Sequence, residues 1–194
     1  MRQRVLDWLA ENVPPARIEH ILGVEQMAID LARHHQLDVE KAAQAALMHD
    51  LAKYFKSKRL LEMARAEGLL LDPVDEANPH LLHADVGRSS ARDEFGITNA
   101  QILAAIANHT LGRPGMDDLS CVVFLADSLE PGRGQTPELN VLRQASFEHL
   151  HQAVWMNCDA SFQFLIAARR LIHPRALQTR NWFLQQFGRS GATP

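Results

Sequence analysis

The chain has 194 residues, 46% of them hydrophobic and 22% charged, with a formal net charge of −3 and a pI near 6.3. That is apolar enough for one sizeable core, which excludes global disorder, and too acidic for a protein whose first business is to coat nucleic acid. No stretch approaches the ~18 uninterrupted apolar residues of a membrane span, and the N-terminus MRQRVLDWLAENV lacks the apolar core of a signal peptide. Cys121 and Cys158 belong to no CxxC pair and read as buried, reduced thiols of a cytoplasmic protein.

Almost every segment carries helical periodicity, so the expected fold is all-α, a single helical bundle of eight to ten helices over 1–188 with a frayed tail at 189–194. A first helix covers roughly 2–12 and ends at VPP; a second runs from about 15 to 35. Asp38 caps a third, 39–53, and SKRLLEMARAEG forms a fourth, closed by Gly68. The turn-rich LLLDPVDEANP reads as a loop, and Pro79 opens a helix through about Glu94. TNAQ at 98–101 reads as a capping box, with Thr98 at the cap, starting a helix that ends near His109. Further helices are expected at about 117–129, at 137–171 with an interruption allowed, and from Pro174 to near Gly188.

Several polar residues fall on the apolar faces of these helices. His49 continues the stripe Ala42, Ala45, Ala46 and leads on to Lys53, while Asp50 sits about 100° around the helix. His20 shares a stripe with Val24, Met27 and Leu31; His109 follows Ile102 and Ile106; Asp127 follows Ser120, Val123 and Phe124; His83 lines up with Val86, Gly87 and Ser90. Gly87 costs ~1 kcal/mol against alanine in mid-helix, which suits a close approach of another backbone or a ligand. Any one of these histidines, taken alone, fits a hydrogen-bonded core residue. Four imidazoles and two carboxylates on five inward faces fit a transition-metal site, because buried ionised groups need partners or metal. Six ligands exceed one tetrahedral ion and fit two ions sharing a bridging carboxylate, for which Asp50 is the candidate.

The remaining histidines are placed differently. His34 and His35 end a helix, and His149, His151 and His173 read as surface or second-layer residues; His80, next to His83, stays ambiguous.

The spacing His20, His49–Asp50, Asp127 resembles the H…HD…D pattern of HD-domain metal-dependent phosphohydrolases. RIEHILGV (17–24), HDLAK (49–53), LLHADVG (81–87), NHTLGRPGM (108–116) and LADSLEPGR (125–133) are similar to the YqeK group of that superfamily, symmetrical bis(5′-nucleosyl)-tetraphosphatases, over roughly residues 14–187. The resemblance implies metal ligands at His20, His49, Asp50, His83, His109 and Asp127, a di-iron centre, and cleavage of diadenosine tetraphosphate into two ADP. Ligand chemistry alone equally admits manganese or zinc. Asp85, Arg88 and Ser128 depart from the group's pattern at positions that carry no ligand.

Hydrolysis of a phosphoanhydride needs an activated water and charge neutralisation at phosphorus. Two metal ions would supply both, a hydroxide held at Asp50 attacking in line; no GxSxG or P-loop is present. Lys53, one turn from His49, is expected to reach phosphate and assist catalysis. Arg113 and Arg133, in loops after ligand-bearing helices, are expected to hold phosphate oxygens bidentately. Glu130 reads as an orienter of Arg133. Tyr54, Phe55 and Trp182 fit the core better than a base-stacking role. The expected partner is a small nucleotide, with no nucleic acid and no membrane. Trp155, Phe162, Phe164 and Leu165 fit either the core or a homodimer face. Two alternatives stay open: an HD phosphohydrolase acting on another nucleotide, although the GYP triplet of one cyclic-dinucleotide subgroup is absent, and a non-catalytic nucleotide- or metal-binding regulatory module.

Overall fold

The computed structural model describes residues 1–188; the predicted tail at 189–194 lies outside them. Among the described residues there are eleven α-helices, two 3-10 turns and no strand. They are α1 (Arg2–Asn12), α2 (Pro15–His34), α3 (Val39–Met48), α4 (Ser57–Ala66), α5 (Pro73–Ala77), α6 (His83–Phe95), α7 (Ala100–Asn108), α8 (Asp118–Leu129), α9 (Pro137–Glu148), α10 (Leu150–Ala167) and α11 (Pro174–Phe187). The all-α expectation holds, with α5 inside the predicted loop and raising the count. Asp72 and Asp75 close a capping box there, which a reading of turn residues alone does not separate from a loop.

α8 is the axis of the bundle. Every residue from Leu119 to Ala126 is buried, and α2, α7 and α10 pack against it. α2 lies along α3, α6 along α7, and α10 along α9 and α11. One core joins residues from Val5 on α1 to Phe183 on α11, and a smaller one, Ala52, Leu60, Ala64, Leu82 and Val86, joins α4 to α6. Cys121 and Cys158 are buried and free; burial pushes the Cys158 thiol up to about 12, which leaves it unreactive. No helix among the described residues is long and apolar enough to cross a membrane.

Four boundaries differ from the sequence reading, each for a local reason. Pro79 opens a 3-10 turn, Pro79–Leu82, and α6 starts only at His83. α3 stops at Met48 instead of about 53. Beyond it, N–H groups bond three residues back: His49 to Ala46, Leu51 to Met48, Lys53 to Asp50. This tighter winding aligns residues three apart, so Lys53 follows Asp50 rather than His49. The cap of α7 is Asn99, whose Oδ1 accepts from the N–H groups of Gln101 and Ile102, and no Thr98–Gln101 box forms; the Gln101 amide oxygen accepts from Lys41 instead. The long segment 137–171 breaks at His149 (φ −145°, ψ 80°). Near this break the Ser146 carbonyl is engaged by His35 Nε2 at 2.8 Å and the Arg143 carbonyl by Ser146 Oγ at 2.7 Å.

The three departures from the family pattern have structural partners. Asp85, 3% exposed, pairs with Arg175 of α11 at 2.8 Å. Arg88 reaches Glu67 at 3.3 Å. Ser128 Oγ accepts from Asn157 of α10 at 3.0 Å.

Candidate metal centre and active site

The helix ends converge on one point. His20 comes from the second turn of α2, His49 and Asp50 from the tight turns after α3, His83 from the first residue of α6, His109 from the cap of α7, and Asp127 from the last turn of α8. His49, Asp50, His83 and His109 are all at most 2% exposed. Three overlapping sets bring ligand atoms within 4.8 Å of one another: His20, His49 and Asp50; His49, His109 and Asp127; Asp50, His83 and His109. The six residues singled out from the sequence are therefore one cluster. Gly87 allows the closure: a Cβ there would stand 3.3 Å from the His49 carbonyl oxygen, so the close approach is that of another backbone.

Each imidazole is aimed by its other nitrogen. His49 Nδ1–H donates to the Ala46 carbonyl at 2.6 Å, His83 Nδ1–H to His80 at 2.6 Å, and His109 Nδ1–H to Ile106 at 2.8 Å. These bonds assign the proton to Nδ1 and leave each Nε2 lone pair facing the cluster. His20 Nδ1 bonds the Glu130 carboxylate at 2.9 Å, while its Nε2 lies 3.1 Å from Asp127 Oδ1. Asp50 divides its oxygens. Oδ1 faces His83 (3.2 Å) and His109 (3.9 Å), while Oδ2 faces His49 (3.3 Å) and Arg17 (3.1 Å).

Charge balance at the cluster is tight. Burial raises the Asp50 carboxyl, yet His49 beside it, itself raised by Asp50 in the metal-free protein, outweighs this and holds the group well below the ordinary carboxylate range. Asp127 is likewise held low, against burial, by the hydrogen bond from His20 and by His49. Burial and the neighbouring imidazoles push His109 down to about 3, so it stays neutral. Burial pushes Lys53 down too, partly offset by Asp50.

The donor set fits metal. His49 Nε2 and Asp50 Oδ2 are buried with no hydrogen bond of acceptable geometry, Arg17 notwithstanding. His83 Nε2 and His109 Nε2 stand 3.0 Å apart, with Lys53 Nζ 3.3 Å from the first and Thr110 Oγ1 3.0 Å from the second, an arrangement in which both nitrogens could ligate one cation. Imidazole nitrogen and carboxylate oxygen suit iron, manganese and zinc alike.

Around the six, the expected helpers are placed unevenly. Lys53 Nζ is 3.3 Å from His83 Nε2. Arg133 donates to Asp127 Oδ1 at 2.7 Å and to the Asp127 carbonyl at 2.8 Å. Arg113 is not brought to the cluster; it is exposed and lines a separate cavity of about 460 Å³ with Arg88, Arg92 and Asn108. Glu130, 4% exposed, holds His20 more closely than Arg133, which lies 3.9 Å away, so its expected role is corrected. Gly23 and Gly132 make room for it: a Cβ would stand 2.7 Å from Glu130 Oε2 at Gly23 and 2.8 Å at Gly132.

Arg17 and Thr110 were missed. Thr110 Oγ1 lies 3.0 Å from His109 Nε2, and both residues sit inside motif stretches beside a ligand, the one available signal. Tyr54 is 50% exposed and so not core, and Phe55 carries the Arg59 guanidinium 3.6 Å from its ring centre. His173 is buried 3.2 Å from Asp75, His151 stacks on Phe187, and the exposed His80 gives its carbonyl to His83.

A helical bundle that gathers His, His–Asp and Asp at one centre is the architecture of the HD-domain phosphohydrolases. The family model described as HD domain matches residues 17–132, and the chain belongs to that family. Within it, the chain is 34% identical to the symmetrical bis(5′-nucleosyl)-tetraphosphatase of Halalkalibacterium halodurans, over 94% of this chain and 97% of the relative. It is 32% identical to the protein of that name from Bacillus subtilis, over the same shares. A crystal structure of a predicted HD superfamily hydrolase involved in NAD metabolism, from Clostridium acetobutylicum, superposes with a TM-score of 0.91 at 34% identity, covering 96% of this chain and 98% of that one. The resemblance drawn from the five motif stretches is borne out, and with it the expectation of an HD-domain enzyme.

Proposed function

We propose that this enzyme hydrolyses diadenosine tetraphosphate symmetrically to two ADP, using two divalent ions held by His20, His49, Asp50, His83, His109 and Asp127. The observation that carries the reading is the convergence of three Nε2 lone pairs and a divided carboxylate in a buried pocket. The names of the relatives support the substrate, and the family resemblance favours iron as the metal. When bound, such an ion pair lowers the pKa of water toward ~7 and neutralises phosphoryl charge.

The chain's own residues do the rest. Asp50, with its oxygens facing different imidazoles, is the candidate bridge. Arg17 holds Asp50 in place at 3.1 Å, and the Lys53 ammonium, 3.3 Å from His83 Nε2, is available to a phosphate oxygen. Arg133, 39% exposed, presents guanidinium donors at the mouth while fixing Asp127. Symmetrical cleavage joins a water oxygen to one of the two central phosphorus atoms. The bond from that phosphorus to the central bridging oxygen breaks, and the second ADP leaves with the oxygen beside these cations. The reading places the enzyme in the cytoplasm.

Incubation of the metal-loaded protein with diadenosine tetraphosphate tests this. ADP as sole nucleotide product supports it; AMP with ATP, or no turnover, refutes it. The Clostridium acetobutylicum neighbour is described in terms of NAD metabolism, so NAD, a dinucleotide with two phosphates, is the second substrate to compare.

A further inference from the structure

A larger depression borders the metal centre, the two sharing Thr110. A cleft of about 650 Å³, within the range of ligand sites, is lined by His80, Thr110, Phe162, Leu165, Arg169 and Arg170 among others. Thr110 belongs to both places, since its Oγ1 lies 3.0 Å from His109 Nε2 and 3.3 Å from His83 Nε2. His80 also belongs to both: it lines the cleft, and its carbonyl accepts from His83 Nδ1–H.

The lining combines cations with apolar surface. Arg169 and Arg170 line the cleft, Lys53 Nζ and the lining Thr110 Oγ1 each stand 3.3 Å from His83 Nε2, and none of the residues lining the cleft is acidic. Phe162 and Leu165, both half-buried, stand on the last turns of α10 directly before Arg169 and Arg170. Apolar surface beside cations matches a flat heterocycle attached to a chain of phosphates.

The backbone at the cleft edge carries an independent sign. Arg169 closes α10 with φ +53°, one of two non-glycine residues in the left-handed region among the described residues, and the N–H of Arg170 returns to the Leu165 carbonyl at 2.8 Å. Glycine is the usual residue at such a closure. Here arginine occupies it, and the strained position puts its side chain in the wall of the cleft.

We propose that this cleft seats one nucleoside diphosphate half of the dinucleotide, its base against Phe162 and Leu165 and its phosphates passing Arg169 and Arg170 toward Lys53. The assignment rests on the tetraphosphatase reading. Arg169 and Arg170 are then specificity-determining residues for that substrate.

The test is steady-state hydrolysis of diadenosine tetraphosphate by the metal-loaded wild type, Arg169→Gly and Arg170→Ala, with metal content and thermal melting recorded for each. Loss of a charge-assisted phosphate contact raises KM about tenfold, with kcat within about twofold and metal content unchanged. Arg169→Gly, freed of the left-handed strain, melts no lower than wild type, a combination that a purely structural role for Arg169 does not produce. Unchanged KM in both variants, with the wild type still releasing ADP, overturns the cleft assignment alone. A wild type that does not turn over the tetraphosphate overturns the tetraphosphatase reading and this one with it.

Discussion

His83 Nε2 and His109 Nε2 stand 3.0 Å apart, each ring having given its Nδ1 proton to a backbone carbonyl one turn earlier. Two buried lone pairs in that relation repel, and the carbonyls forbid an easy tautomer switch that would turn one into a donor. A bound cation resolves the conflict, because each Nε2 becomes a ligand.

Asp50→Ala removes the carboxylate that faces both halves of the cluster. The variant is expected to bind less than half the wild-type metal and to lose at least about a thousandfold in kcat. Metal analysis alongside product chromatography checks it; wild-type activity in this variant removes Asp50 from the machinery.

Glu130 acts on the metal through His20. Glu130→Ala is expected to lower metal affinity about 10–100-fold. Gly23→Ala should reproduce the effect, since its Cβ would stand 2.7 Å from Glu130 Oε2 and push the carboxylate aside. Only the tip of a flexible side chain must move, so folding survives. A chelator titration measures both variants, and unaltered affinity in both contradicts the role.

Much of this site was legible because its ligands share the periodicity of the helices that carry them. Val24, Met27 and Leu31 mark the buried face of α2, and His20 lies on it; Ile102 and Ile106 do the same for His109. What escaped depends on long-range geometry. Glu130 meets His20 across 110 positions of sequence, and Arg17 meets Asp50 across 33, with no pattern joining them. The tightening of the backbone at His49 moved Lys53 into register with Asp50, and hydrophobic spacing does not distinguish 3-10 winding from one more helical turn. Arg113 shares a motif with His109, but Gly112 (φ +63°) and the turn that follows it leave Arg113 in a different cavity.

The Asp85–Arg175 pair ties α6 to α11 away from the ligands. Arg175→Met leaves Asp85 buried without its partner and is expected to destabilise the fold by about 2–3 kcal/mol. Asp85→Asn with Arg175→Met should cost less than the sum of the single changes. Urea denaturation of the three variants measures the coupling; strict additivity contradicts it.

The metal-free protein should weaken in acid through His109. Its folded value of about 3 lies below the ordinary histidine value near 6.5. Between these limits the unfolded chain binds a proton that the folded chain refuses, so stability is complete above pH 6.5 and falls as pH drops toward 3. His49 is raised by Asp50 despite burial, so its contribution changes only above pH 6.5 and leaves that window alone. Melting temperatures of chelator-treated wild type and His109→Gln across pH 4–7 test this; the variant should show the shallower slope.

The central claim is most directly tested by counting metal ions on the purified protein by elemental mass spectrometry, before and after chelation, with activity on diadenosine tetraphosphate followed in the same samples. About two ions per chain, lost together with ADP release and restored together on adding metal, is the predicted result. Full hydrolysis by protein stripped of metal, or a chain that binds none at any concentration of iron, manganese or zinc, would contradict it.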